Sequence, residues 1–511
     1  MRIASVPLGR MPGSSALFSA YVSGDGRAAR FYRYSAFSLE GWLAAAREAF
    51  TGGAPRAEVA EALRSVNPDC AAVDRLAEPG TVAVVTGQQA GLFGGPAYTL
   101  YKALTAVHVA RRLEAAGQPA VPVFWVAGED HDLDEVSHAH VFDTRMRPVR
   151  LEVDESARRG RPVGAIPIGS PPLQALAAAL EGFPHGRDTA ALVAECYPPG
   201  RTFSEAFRAL LASLLRPYGV VFVDPLEPRL RRLAAPLLER AWRMRDELGE
   251  AVRARGAELE REGFHAQVET AAGAGLFFVL EDGIRRRAGE RAQPADPAAW
   301  SPNALLRPVM QDWLLPTAVY VGGPAEVAYF AQSAVLYEKL LGRMPAVLPR
   351  AGFTLVDGRT RRLVERFGVT VADCLRGEEA LIETIAARLS SQSLEREFSE
   401  AGRVIGGRLD QLGAALAALD PTLGRAMQRS RVRIEWQLEK LRRKAARAVL
   451  RKHAETEQQA RHAFRLVCPE RKLQERYYSF IAFLARHGNG LLEDLLAAID
   501  AARPSHEVLA L

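Results

Sequence analysis

At 511 residues, 48% hydrophobic and 25% charged, the chain has an ordinary globular composition and the length of about three structural units. No apolar run approaches the roughly 20 residues needed to cross a bilayer, and the opening MRIASVPLGRMPGSSALFSAY lacks a signal peptide's apolar segment, so a cytoplasmic protein is expected. The net charge of +6 is uneven: between Arg429 and Lys452 stand ten basic residues and two acids, a segment charge of +8 that leaves −2 for the rest. That distribution argues against a general nucleic-acid-binding protein.

In chain order, the first 75 residues read as helical and poor in chemistry. TVAVVTG (Thr81–Gly87) is a β-branched run ending at glycine, the pattern of a fully buried strand. A glycine-rich loop, a helix from about Ala97 to Ala116 and a second buried strand (Ala120–Gly128) follow, which predicts a right-handed βαβ unit with parallel strands. GVVFVD (Gly219–Asp224), GLFFVL (Gly275–Leu280) and TAVYVGG (Thr317–Gly323) are further strand candidates. RRRAGERAQPADPAAWSPN reads as an exposed excursion. The expected architecture is α/β: a catalytic core over 1–381 built on a parallel sheet, with insertions over about 133–301. From 382 to 466 the pattern changes. Ile405, Leu409, Leu412, Leu416 and Leu419 step at heptad spacing, Asp420-Pro421 breaks the helix, and Ile434, Leu438, Leu441, Ala445 and Ala448 resume it. This predicts an antiparallel coiled-coil hairpin, with residues 467–511 returning the chain to the core.

Three segments carry candidate chemistry. TGQQAGLFGGPAYTLYK (Thr86–Lys102) joins a buried strand to a helix, where open α/β sheets bind ligands and helix N-termini favour anions. Gly87, Gln88, Gln89, Gly94, Gly95, Tyr98 and Lys102 are its candidate substrate- or nucleotide-binding residues, although neither GxGxxG nor GxxxxGK[ST] is present. GEDHDLDEVSHAHVFD begins where the second strand ends. Asp130 and His131 are candidates for taking a proton from an attacking amine, and Glu129 and Asp132 for a polar binding wall. In SPNALLRPVMQDWLLPT the residues Asn303, Arg307, Gln311 and Asp312 can share a helix face, with Arg307 suited to a carboxylate or phosphate. The Gly322-Gly323-Pro324 turn, with Glu326 and Tyr329 on the helix after it, repeats the design of the first loop. No metal site is predicted: HExxH is absent, and Cys70, Cys196, Cys374 and Cys468 are far apart and form no CxxC pair.

TGQQAGLFGGPAYTLYK, FWVAGEDHDLDEV, SPNALLRPVMQDWLLPT, GGPAEVAYFAQ, MPAVLPR and LQER, in that order, resemble the bacillithiol biosynthesis cysteine-adding enzyme family over essentially the whole chain. The resemblance implies a Rossmann-like core similar to class I nucleotidyltransferases, two connecting insertions and a C-terminal coiled coil that mediates homodimerisation. It implies a ligase that joins cysteine to the amine of glucosaminyl-malate. ATP is the expected activator, with Mg²⁺ as a possible companion, although neither a HIGH nor a KMSKS motif is present. Two alternatives stand beside it: a synthetase-like nucleotidyltransferase whose basic arm binds tRNA, and a non-enzymatic dimeric scaffold.

Overall fold

The structure, a computed structural model, describes residues 2–68, 70–269, 273–289, 294, 296–389, 392–503 and 505–511. Five parallel strands form the central sheet: β1 (Val82–Gln88), β2 (Ala120–Val126), β3 (Val221–Val223), β4 (Thr317–Gly322) and β5 (Ala346–Pro349). Their spatial order is β5-β4-β1-β2-β3. The strands read as continuous apolar runs because both faces are covered, and residues 82–87 and 120–126 are buried throughout.

Helix α1 (Tyr98–Ala115) connects β1 to β2. The edge strand β3 is preceded by α2 (Gly186–Cys196) and α3 (Phe203–Leu215). Strand β4 is preceded by α4 (Arg307–Leu314) and leads through α5 (Pro324–Leu340) to β5. Since β2 lies on one side of β1 and β4 on the other, the chain winds in opposite senses from these two strands. A crevice therefore opens beyond their carboxyl ends.

Two expectations change. GLFFVL does not join the central sheet: Phe277–Glu281 pairs antiparallel with Ile284–Arg287 and Trp300–Pro302 in a small separate sheet. Its residues alternate between buried and less buried, which suits a sheet covered on one face only. Within the Arg/Pro/Ala-rich excursion, positions 290–293 and 295 lie outside the described residues. The first 75 residues are not all helical, since Arg2–Pro7 is a strand paired antiparallel with the last strand, Ser505–Ala510. The sequence reading also missed β5, whose four residues are all buried.

The chain divides into two compact units, Met1–Thr354 with Glu475–Leu509, and Leu355–Gln474 with Ala510–Leu511. The second unit contains α6 (Glu378–Leu389) and a long helical hairpin, α7 (Gln392–Leu419) and α8 (Pro421–Arg451). Asp420 caps α8 by accepting from the Thr422 amide at 2.7 Å, and Pro421 occupies the first helical position, where its missing N–H costs nothing. The contact face differs from the expected stripes. Leu412, Leu419, Ile434 and Leu441 are 50%, 78%, 39% and 57% exposed. Glycines line part of the seam instead: a Cβ on Gly402 would meet Leu438, one on Gly413 would meet Met427, and one on Gly424 would meet Ala417. The small residues let the two backbones approach closely, and the seam rotates away from part of the leucine stripe.

Candidate active site

The carboxyl ends of β1, β2 and β4 open into a cavity of about 350 Å³, within the range of small-molecule sites. All its lining residues belong to the first unit. Its floor is a chain of hydrogen bonds. Lys102, almost wholly buried, donates to Gly87 O at 2.7 Å and Gln88 Oε1 at 3.0 Å, and pairs with Glu326. Its three donors are therefore spent. Burial pushes the ammonium below its usual value, with Glu326 pulling the other way. Glu326 accepts from the Tyr320 hydroxyl at 2.6 Å and from the Gly323 amide at 2.7 Å. Burial raises its carboxyl, but Lys102 and these donors outweigh that and hold it below the ordinary range.

Arg307 stands over this floor. It donates to Gln311 Oε1 at 3.0 Å, Tyr320 Oη at 3.2 Å and Tyr329 Oη at 3.1 Å. Every partner is neutral, and the guanidinium carries five donors. Arg350 also lines the cavity, but its fork is occupied by the Glu475 carboxylate at 2.6 and 2.9 Å. Arg476, next along the chain, lines the cavity with its side chain exposed and, among the described residues, with no hydrogen-bond or ion-pair partner.

Two carboxylates complete the lining. Asp130 accepts from Gln89 Nε2 at 2.7 Å and from the His131 amide at 2.7 Å. Glu135, on the short helix Leu133–Val136, has its carboxyl pushed up by burial and by its acidic neighbours Asp132 and Asp130. Gln89 Oε1 is sealed from solvent and has no partner, so an acceptor is left over at the cavity wall. The hydroxyl of Tyr98 takes the Gln88 amide at 3.2 Å, and burial pushes it up to about 12.

The cavity thus gathers Gly87, Gln88, Gln89, Tyr98, Lys102, Asp130, Arg307, Gly323, Glu326 and Tyr329 from the sequence candidates. The others do not line it. His131 is exposed and lies 3.3 Å from an Arg285 nitrogen. Glu129 is buried against Arg231 at 2.5 Å. Asp132 caps the Leu133–Val136 helix, and Asn303 accepts from the amides of Leu305 and Leu306. Gln311 and Asp312 are wholly buried, where Asp312 takes the hydroxyls of Thr317 and Tyr337 and the Gln311 amide. Gly322 closes β4 and accepts from the Arg350 amide at 2.9 Å. Gly94 and Gly95 also lie outside the lining. The Gly94 amide already donates to Tyr197 Oη at 3.1 Å, and the Gly95 amide to Leu92 O at 3.0 Å. Gly94, at φ 81°, is glycine because a Cβ there would strike the Phe480 ring.

Sequence reasoning overlooked Glu135 and the pair Arg350 and Arg476. Glu135 sat in the acidic run already singled out. Arg476 lay in the LQER motif, whose distance along the chain hid its place beside β1. Among the described residues no three His, Cys, Asp or Glu side chains converge as a metal site.

Comparison with known proteins adds the family. The model described as Bacillithiol biosynthesis BshC, N-terminal Rossmann-like domain, matches residues 1–293 and 289–351, and the model of the C-terminal coiled-coil domain matches 353–511. The chain belongs to the bacillithiol biosynthesis BshC family. Relatives named "Putative cysteine ligase BshC" include one from Solibacter usitatus, 43% identical with 98% of each chain covered. Others come from Koribacter versatilis, 35% identical over 99% of each chain, and Salinibacter ruber, 34% identical over 86% of this chain and 84% of the relative. The Rossmann-like core and C-terminal coiled coil are those of this family, and among the described residues no helix is long and apolar enough to cross a membrane.

Proposed function

We propose that this family member is a cysteine ligase that forms the amide between the carboxylate of cysteine and the amine of glucosaminyl-malate. The observation that carries the reading is Arg307, a guanidinium with only neutral partners at the switch point of the sheet. A dicarboxylate such as the malate group supplies the anionic oxygens that this fork lacks. Arg476 adds a second cation to the same cavity. At the acidic end, Asp130 keeps its role as acceptor of the amine proton and Glu135 takes the place expected of His131. Glu135 is the better suited of the two, because burial and Asp132 raise its carboxyl and so its affinity for a proton. Lys102 and Glu326 act by holding Gln88, Tyr320 and the Gly323 turn in position.

Amide formation in water is uphill without activation of the carboxylate, which supports ATP as the activator. The amides of Gly94 and Gly95 do not fit a phosphate, so no residue is assigned to the nucleotide; Glu326 is bound to Lys102, which leaves Asp130 and Glu135 as the cavity carboxylates that a Mg²⁺ ion would meet. Thiol analysis of cells lacking the gene tests the reading. Bacillithiol is expected to disappear and glucosaminyl-malate to accumulate, with both reversed by the wild-type gene. Normal bacillithiol would overturn it.

The hairpin supports a homodimer. Val432, Ile434, Trp436 and Leu441 are large, exposed and apolar on one helix, more than a lone arm in water favours, and closed twofold dimers are the commonest assembly. Part of the basic charge is already balanced within one arm, where Arg442 pairs with Glu395 and Arg447 reaches Glu379 and Glu383. Sedimentation at micromolar concentration is expected to show a dimer, weakened by Trp436→Ala. A wild-type monomer would remove the idea.

A further inference from the structure

The edge strand β3 borders a second cavity, of about 360 Å³, in the first unit. It shares no lining residue with the candidate active site. Its walls come from residues 66–68 and Cys70, the last turn of α2, one face of α3 and the start of β3. Among the described residues, Arg201, Arg208 and Arg216 line it against one carboxylate, Glu195. None of the three guanidiniums has an ion pair among the described residues.

Arg208 is the most informative of them. Its Nη1 donates to Val66 O at 2.5 Å, while its Nε is sealed from solvent with no partner among the described residues. Burial holds the guanidinium below its ordinary value. The carboxylates of Asp224 and Glu205 offset this in part. Arg201 spends Nη1 on the carbonyls of Glu195 and Cys196, at 3.3 and 3.0 Å, and keeps its remaining donors. A donor shut away from water without an acceptor, as Arg208 Nε is among the described residues, is costly. The lining also includes the apolar side chains of Leu192, Ala209, Ala212 and Phe222, which suits a short carbon skeleton.

We propose that this cavity binds a small multivalent anion, phosphate-bearing or polycarboxylate, with Arg201, Arg208 and Arg216 as its cations. Guanidinium forks match the closely spaced oxygens of both groups. The site stands on this geometry alone and does not depend on the ligase reading.

Cys70 gives a built-in reporter. It lies on the cavity wall and is half-buried, whereas Cys196, Cys374 and Cys468 are buried. The rate of Cys70 alkylation by N-ethylmaleimide is measured by peptide mass spectrometry on the full chain. Pyrophosphate or tricarballylate is added at ionic strength fixed with chloride. One or both are expected to slow the reaction at least about tenfold by occupying the cavity. Protection by pyrophosphate alone assigns a phosphate ligand, and protection by tricarballylate alone a polycarboxylate. Arg208→Gln and Arg216→Gln are each expected to abolish protection while Cys70 still reacts. Arg216 is exposed, so its variant keeps the test valid where Arg208→Gln fails to fold. No protection by either anion, or equal protection in Arg216→Gln and wild type, would overturn the proposal.

Discussion

Replacing Glu475 with alanine is expected to destabilise the first unit by about 3–5 kcal/mol, the usual cost of stranding one member of a buried ion pair. Arg350 and Glu475 are only 6% and 4% exposed, and the pair is bidentate. The carboxylate also accepts from the Phe353 amide at 3.1 Å. Alanine would therefore leave both a guanidinium and a backbone N–H without an acceptor in a place that water does not reach. Burial alone would raise the Glu475 carboxyl, but Arg350 and His506 outweigh it and hold it below the ordinary range. A carboxyl depressed in the folded state contributes stability above its unfolded value and loses it as pH falls through the folded one. The gap between wild type and Glu475→Ala should accordingly be full at neutral pH and narrow in acid. Urea unfolding at neutral and acid pH measures both effects. A loss below about 1 kcal/mol at neutral pH would show that the pair is dispensable. Glu475→Gln separates the two contributions, since the amide oxygen still accepts from Phe353 while the charge is gone.

That pair also shows where sequence reading reached its limit. The βαβ unit around β1, α1 and β2 was legible because short apolar runs ending at glycine leave few alternatives, and its crevice followed from the position of the loops. Glu475 and Arg476 stand more than 120 residues after Arg350, and no local pattern announces a contact across that separation. The glycine loop misled for a different reason. Gly91, Gly94 and Gly95 between a strand and a helix suit an anion, yet here Gly94 serves packing under Phe480, and Tyr197 takes its amide. His131 was attractive as a titratable residue in an acidic run, but the strand ends at Val126 and the chain turns so that Glu135 reaches the cavity in its place. The hairpin's helices were legible from their heptads. The seam was not, because heptad counting weighs leucines and overlooks the close approach that Gly402, Gly413 and Gly424 permit.

Arg307→Ala is expected to weaken binding of glucosaminyl-malate by roughly 30-fold to several thousand-fold, the range for removing one partner of a desolvated, hydrogen-bonded charge pair, about 2–5 kcal/mol. The loss of stability should be smaller. Arg307 gives up three hydrogen bonds to neutral acceptors, and Tyr320 still donates to Glu326 without it. Net hydrogen-bond contributions of about 1 kcal/mol each, partly recovered by water in an open cavity, set that smaller scale. Arg307→Lys sharpens the case. Lysine keeps the charge but is a point cation, unable to hold Gln311, Tyr320 and Tyr329 in one plane while presenting a fork to the ligand. Its affinity should fall between wild type and alanine, nearer to alanine where the contact is bidentate. Titration calorimetry of the purified variants with glucosaminyl-malate measures this without cysteine or a nucleotide, so the result stands apart from the question of how the carboxylate is activated. Equal affinity in wild type and Arg307→Ala would remove Arg307 from the site and leave Arg476, the other cation of the cavity without an ion pair among the described residues, as the group that must hold the malate.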